Sequence, residues 1–263
     1  MRALSIAATG MLAQQTNVEV IANNLANMNT VGFKRQRAEF QDLLYQTIEQ
    51  AGTQSSDSGT VVPSGIQLGA GVRTAAVARV MSQGDMQNTG NPYDLSINGA
   101  GYFHITQPDG TDAYTRAGNF ALSPEGQIVT QEGYTVAPGI AVPQNATQVT
   151  INAQGQVQAT IPGQTAPQTL GQLELVRFPN EGGLNAVGGN LFTETPSSGA
   201  PQSGIPGSAG YGIVQQGYLE TANINPVEEI TDLITAQRAY EMNSKVISAA
   251  DDMMSTTSRL GGQ

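Results

Sequence analysis

The residues able to do acid–base or ligand chemistry are few in this chain, and their spacing suits none of it. His104, within Tyr102-Phe103-His104-Ile105, is the only histidine, and there is no cysteine. A metal site would have to be built from carboxylates alone, and no D-x-D-x-D-G spacing occurs. Disulfides and thiolate nucleophiles are excluded with the cysteines. Glu228/Glu229 and Asp251/Asp252 are adjacent pairs in helical surroundings, so their members point different ways around the axis and cannot flank one bond. They read as a helix cap and a solvated face. Gly69-Ala70-Gly71 and Gly99-Ala100-Gly101 lack the third glycine of a phosphate loop. Lys34, Arg35 and Arg37, just after Gly32-Phe33, form one basic cluster and read as a solvated helix end. No G-x-S-x-G, H-E-x-x-H or Walker pattern is present. No catalytic residue, cofactor or metal ligand is expected, and His104 reads as a strand histidine without a catalytic role.

Composition narrows the partners. The formal net charge is −10 and the only lysines are Lys34 and Lys245, so nothing here tracks a phosphate backbone and nucleic acid is a poor partner. No window approaches the roughly 20 apolar residues of a membrane span, and the opening MRALSIAATGML is too broken for a secretory leader. Low charge with 31 glycines and no tryptophan suits a secreted β-rich or assembly protein better than a soluble enzyme.

With chemistry set aside, the two ends stand out. From Met1 to about Thr30, Leu4, Met11, Val18 and Leu25 recur every seven residues, with Ala7, Ile21 and Met28 three later and Gln14 as the polar exception. Asn17, Asn23, Asn24, Asn27 and Asn29 are poor helix formers, so this helix needs tertiary or intermolecular support. The last segment opens with Asn225 as N-cap, Pro226 at the first helical position and Glu228 three residues after the cap. From there Leu233, Tyr240, Ile247 and Met254 step by sevens, with Ala236, Asn243 and Ala250 three residues on. Ala239, Val246, Met253 and Leu260 widen the stripe enough to meet more than one neighbour.

The middle predicts strands at Leu95–Ile97, Tyr102–Thr106, around Tyr114, and at Phe120–Leu122, Ile128–Thr130, Tyr134–Val136, Val149–Ile151, Val157–Ile161 and Leu170–Phe178. Gln107-Pro108-Asp109-Gly110 and Ser123-Pro124-Glu125-Gly126 are turns. The expected fold class is α+β: long N- and C-terminal helices forming a coiled-coil-like domain, with a central all-β domain of sandwich or open-barrel type. The expected division is 1–45 with 217–263 as the helical domain, 46–75 as an extended connecting segment, and 76–216 as the β domain. Taken alone, Gln46 to Arg73 passes for a linker.

Three long stretches, in order, carry a resemblance: ANNLANMNTVGFKR (Ala22–Arg35); DLSINGAGYFHI with AYTRAGNFALSPEGQIVTQEGYTV (Asp94–Ile105 and Ala113–Val136); and GYLETANINPVEEI running into QRAYEMNSKVI (Gly217–Ile230 and Gln237–Ile247). Together they resemble the bacterial flagellar rod and hook family. The length, and the segment from Tyr45 through PSGIQLGAGVR (Pro63–Arg73), are similar to the distal rod branch. The resemblance implies a non-enzymatic subunit without cofactor, exported by the flagellar type III apparatus without a cleaved signal. It implies helical self-assembly into a hollow, torque-bearing tube in the periplasm-spanning basal body. Expected partners are further copies of itself, proximal rod proteins, the hook protein and the surrounding P- and L-ring bushings. The expected inter-subunit residues are Leu4, Met11, Val18, Ile21, Leu25, Met28, Leu233, Tyr240, Ile247 and Met254. Tyr45, Val61, Val62, Pro63, Ile66, Leu68 and Arg73 are expected in a stiffening segment. The rival readings are a proximal rod or hook-type subunit, a secreted adhesin, and a glycan-active β protein.

Overall fold

The computed structural model describes residues 2–50, 64–164 and 166–260. They form an α+β protein with one long helix near each end and a β-rich middle. Contacts gather the chain into two units. The first takes its described residues from 1–25, 36–78 and 225–263; the second takes 26–35 and 79–224.

In the first unit, α1 (Arg2–Ala26) ends short of the expected Thr30. There the Thr30 N–H donates to the Asn27 carbonyl at 3.0 Å and the Thr30 hydroxyl to Asn27 Oδ1 at 3.1 Å, so a turn replaces the next helical bond. The second helix, α2 (Pro226–Leu260), starts where its cap predicts. Asn225 Oδ1 accepts from the Val227 N–H at 3.2 Å, and two glutamates sit in the first turn, where the helix dipole favours them. At about 1.5 Å per residue, α1 is roughly 37 Å long and α2 roughly 52 Å.

The region that reads as a linker holds paired strands. β1 (Gln36–Asp42) pairs with β4 (Val72–Arg79), and β2 (Tyr45–Glu49) pairs antiparallel with β3 (Ile66–Gly69). The Leu43 N–H bonds to the Gly71 carbonyl and the Ala70 N–H to the Leu44 carbonyl, joining the two pairs into one ribbon. Its strands lack a clean inside–outside alternation, because both faces of much of the ribbon are exposed. That is why period-2 reasoning misses it.

The second unit is antiparallel throughout. After β5 (Met86–Asn88) and β6 (Leu95–Asn98), the hairpin of β7 (Tyr102–Thr106) and β8 (Asp112–Thr115) forms the middle of a nine-stranded sheet. Residues 148–151, 156–160 and 168–172 make a three-stranded sheet, while β6 pairs with 213–216 and β5 with 218–220. The main core gathers Leu95, Ile97, Phe103, Ile105, Val157 and Leu175, all essentially inaccessible. A smaller one packs Tyr102, Tyr114, Phe178 and Phe192 edge to face. Burial pushes the Tyr114 phenol up to about 12 and the Tyr102 phenol higher still.

Candidate assembly surface

Two polar joints hold the elements that present the surface, one within each unit. In the first unit, the Asn24 side chain treats Gln36 as a paired strand residue would. Its Nδ2 donates to the Gln36 carbonyl at 2.8 Å, and its Oδ1 accepts from the Gln36 N–H at 2.9 Å. The same Nδ2 donates to Glu229 Oε2 on α2 at 3.1 Å. Glu229 is 1% exposed, which corrects its reading as cap or solvated face: the last full turn of α1 lies against it. Further along, a Cβ on Gly10 would stand 3.0 Å from Asn243 Nδ2, so α1 and α2 approach closely there. From Asn24 to Gly10 is fourteen residues backward, and from Glu229 to Asn243 fourteen forward, so the helices run antiparallel in one heptad register. Buried beside this line are Ala7, Ala13, Ala236 and Ala250, small residues that allow the approach.

In the second unit, the cluster that reads as a solvated helix end is instead partly buried. Lys34 is 4% exposed and donates through Nζ to Glu220 Oε1 at 2.6 Å and to the Ser82 carbonyl at 2.9 Å. Arg116 meets the other oxygen of Glu220 through Nε at 2.9 Å and Nη2 at 2.8 Å. Its Nη1 donates to the carbonyls of Gly99 and Gly101 and its Nη2 to that of Ile97. Burial pushes the Lys34 ammonium below its ordinary value, and the charge of Glu220 opposes that shift. Gly32 adopts φ +68, and a Cβ there would lie 2.7 Å from the Ala117 nitrogen. Only glycine lets residues 30–35 lie this close to the sheet. The Gly32 N–H donates to the Glu220 carbonyl at 2.8 Å, and the Arg35 N–H to Asn223 Oδ1 at 2.7 Å.

His104 lies on β7 with Nε2 2.8 Å from Asp112 Oδ1 and its ring stacked on Tyr114, a cross-strand pair of the β7–β8 hairpin. No group of histidine, aspartate and glutamate able to hold a metal occurs among the described residues. Among the described helices, none is long and apolar enough to cross a membrane.

The apolar exposure divides unevenly. Of the 22 large apolar side chains exposed among the described residues, 17 belong to the first unit, whereas both hydrophobic core clusters lie in the second. Leu12 is 64% exposed on α1; Val227, Met242 and Met253 are 73%, 61% and 64% exposed on α2. Soluble monomers rarely leave apolar patches of that extent uncovered. Of the expected inter-subunit residues, Ile21 is buried, Leu4, Met11, Val18, Leu25, Leu233 and Ile247 are half-buried, and Met28, Tyr240 and Met254 are exposed. On the ribbon, Tyr45, Ile66, Leu68 and Arg73 are exposed, with Leu44 and Ile48 beside them; Val61, Val62 and Pro63 lie outside the described residues.

Three family profiles cover the regions that supply the joints. Residues 4–34 match the flagella basal body rod protein profile, 96–159 the D1 domain of the flagellar hook protein FlgE/F/G, and 215–260 the C-terminal region of the flagellar basal body rod FlgEFG proteins. Over 260 residues, 99% of each chain, the protein is 60% identical to the flagellar basal-body rod protein FlgG of Caulobacter vibrioides. The chain belongs to the flagellar basal-body rod protein family. FlgG of Borreliella burgdorferi is 48% identical over the full length of both chains. FlgF of Caulobacter vibrioides is 34% identical over 98% of each, so between these two rod proteins of one organism the likeness to FlgG is clearly greater. Lys34, Arg116 and Glu220 fall one in each matched region.

Proposed function

We propose that the chain is the structural subunit of the flagellar distal rod, a helical homopolymer acting as a stiff hollow drive shaft between motor and hook. The observation that carries this reading is the first unit itself: helices with a thin internal seam, no hydrophobic core cluster among its described residues, and most of the exposed apolar side chains. Such a unit is completed by copies of itself. The half-buried row Leu4, Met11, Val18 and Leu25, with Leu233, Tyr240, Ile247 and Met254, buries between subunits as a coiled-coil inner layer. The β-rich unit forms the outer layer, facing the P- and L-ring bushings.

An isolated two-stranded ribbon is marginal in water, and this one exposes Leu44, Tyr45, Ile48, Ile66 and Leu68. Residues 46–75 therefore bridge axial neighbours and limit bending. The likeness to FlgG over FlgF supports the distal position over a proximal one. Contacts with proximal rod proteins and hook at the two ends, and passage through the flagellar export apparatus without a cleaved signal, belong to the same reading. The work is mechanical and involves no catalytic step. The test is Leu25→Asp, which places a charge in the proposed seam at a position only half-buried within the chain. A folded, soluble subunit that forms no tubes supports the reading; normal tubes refute it.

A further inference from the structure

The seam between α1 and α2 is assembled from residues that recur every seven on both helices. On α1 the row is Ala3, Gly10, Asn17 and Asn24; on α2 it is Glu229, Ala236, Asn243 and Ala250. Half of these side chains are alanine or glycine, and small residues accept a neighbour displaced by one heptad almost as well as one in place. A slip of seven residues moves one helix about 10.5 Å along the other. Apolar packing along this row therefore discriminates weakly between registers. The two contacts that do discriminate are polar or steric. Asn24 donates to buried Glu229 at 3.1 Å while its amide is already committed to both backbone groups of Gln36, and Gly10 leaves the notch that Asn243 fills.

We infer that Asn24 and Glu229 are the register-determining pair of the terminal helices. Asn24 is fixed along α1 by helix geometry and in orientation by Gln36 at the start of β1, so its Nδ2 offers a hydrogen at one point in space. Glu229 is the α2 residue that accepts it. One heptad away in either sense, Asn24 would face Ala236 or a residue before the helix begins, and Glu229 would lose this donor. A buried polar contact of this kind selects one alignment among several that apolar packing would allow. The register has a geometric consequence: with Asn243 opposite Gly10, residue 251 lies level with Arg2 and residues 252–260 of α2 extend past the start of α1. This assignment concerns one chain and stands whether or not the assembly proposed above is correct.

The absence of cysteine makes the test direct. Ala7 and Val246 line one groove, so Ala7→Cys with Val246→Cys reports the observed register. Ala7→Cys with Ala239→Cys, or with Met253→Cys, reports a slip of one heptad either way. Each pair is oxidised in the full chain at low concentration, and the intramolecular link is quantified by peptide mass. With Asn24 and Glu229 intact, only the in-register pair should link. Adding Glu229→Leu should raise the slipped links by about ten-fold or more. Glu229→Gln, which keeps a carbonyl oxygen for Asn24 to donate to, should leave them at background. Circular dichroism confirms retained helix, and Glu229→Ala replaces Glu229→Leu if the larger side chain prevents folding. Slipped links that stay at background without the acceptor, or that rise equally in Glu229→Gln, overturn the assignment.

Discussion

Glu220→Gln is the sharpest perturbation of the β-rich unit. The carboxylate is 1% exposed; one oxygen accepts from Lys34 Nζ and the Gly84 N–H, and the other accepts from Arg116 Nε and lies 2.8 Å from its Nη2. An amide of the same shape removes the negative charge in direct contact with two buried cations, and turns an NH2 toward groups that can only donate. Breaking a buried pair from one side costs about 3 to 5 kcal/mol, a large share of the roughly 5 to 15 kcal/mol that holds a typical domain together. At about 2 to 4 °C per kcal/mol for a unit of this size, the melting temperature should fall by roughly 6 to 20 °C. With no tryptophan in the chain, urea unfolding is best followed by circular dichroism and tyrosine fluorescence. Lys34→Met is the control, since it leaves Arg116 and Glu220 as a one-to-one pair, and its cost should be smaller, about 1 to 3 kcal/mol. In the Glu220→Gln background the same change removes an uncompensated charge, so the double variant should lose less than the two single losses combined. A Glu220→Gln protein within about 0.5 kcal/mol of the parent would refute the cluster as the joint of this unit.

Gly32→Ala should destabilise by about 2 kcal/mol or more, because the position needs φ +68 and the added methyl would meet the Ala117 backbone; an unchanged thermal midpoint would contradict that geometry. Tyr114 keeps its proton up to about pH 12 when folded, whereas an unfolded tyrosine gives it up near 10. Its contribution is therefore fully present below pH 10 and lost as pH rises from 10 toward 12, so stability should drop across that window. A spectrophotometric titration in which every phenol ionises near 10 with the fold intact would show Tyr102 and Tyr114 to be accessible. Deleting residues 53–66 should leave tubes that form but bend; unchanged bending stiffness in electron micrographs would remove the bridging role of the ribbon.

How much of this was legible in sequence depended on how local the cause was. β7 at Tyr102–Thr106 coincides with its alternating pattern, and α2 starts at Pro226 behind Asn225, because alternation and capping are decided within a few residues. The ends of α1 and the ribbon strands were harder. Asn27 and Thr30 choose a turn over another helical bond, and a ribbon exposed on both faces carries no period. The joints were illegible for a different reason. Glu220 meets Lys34 and Arg116 only after the chain has brought together positions 186 and 104 residues apart, and no local pattern separates a buried lysine from a solvated one. Glu229 misled because the first turn of a capped helix is where a solvated glutamate belongs. Its partner did leave a trace, since an asparagine such as Asn24 in the interior of a helix is unfavourable unless something outside the helix binds it. The seven-residue rows were visible at once, but the sequence does not say which packs inside the chain, since Val20 and Ile21 are buried along with the smaller Ala7 and Ala13. The alanines and Gly10 line the internal seam, and the larger Leu, Met and Tyr rows stay half-buried or exposed.

In the assembly proposed above, the exposed apolar faces of the terminal helices are covered by other copies of the same chain. Electron microscopy of the purified full chain over rising concentration, with amide exchange on the same samples, tests it most directly. The prediction is straight hollow tubes, with protection of residues 2–26 and 226–260 appearing only as tubes form. A monomer that persists at every concentration, with both helices already fully protected, would contradict it.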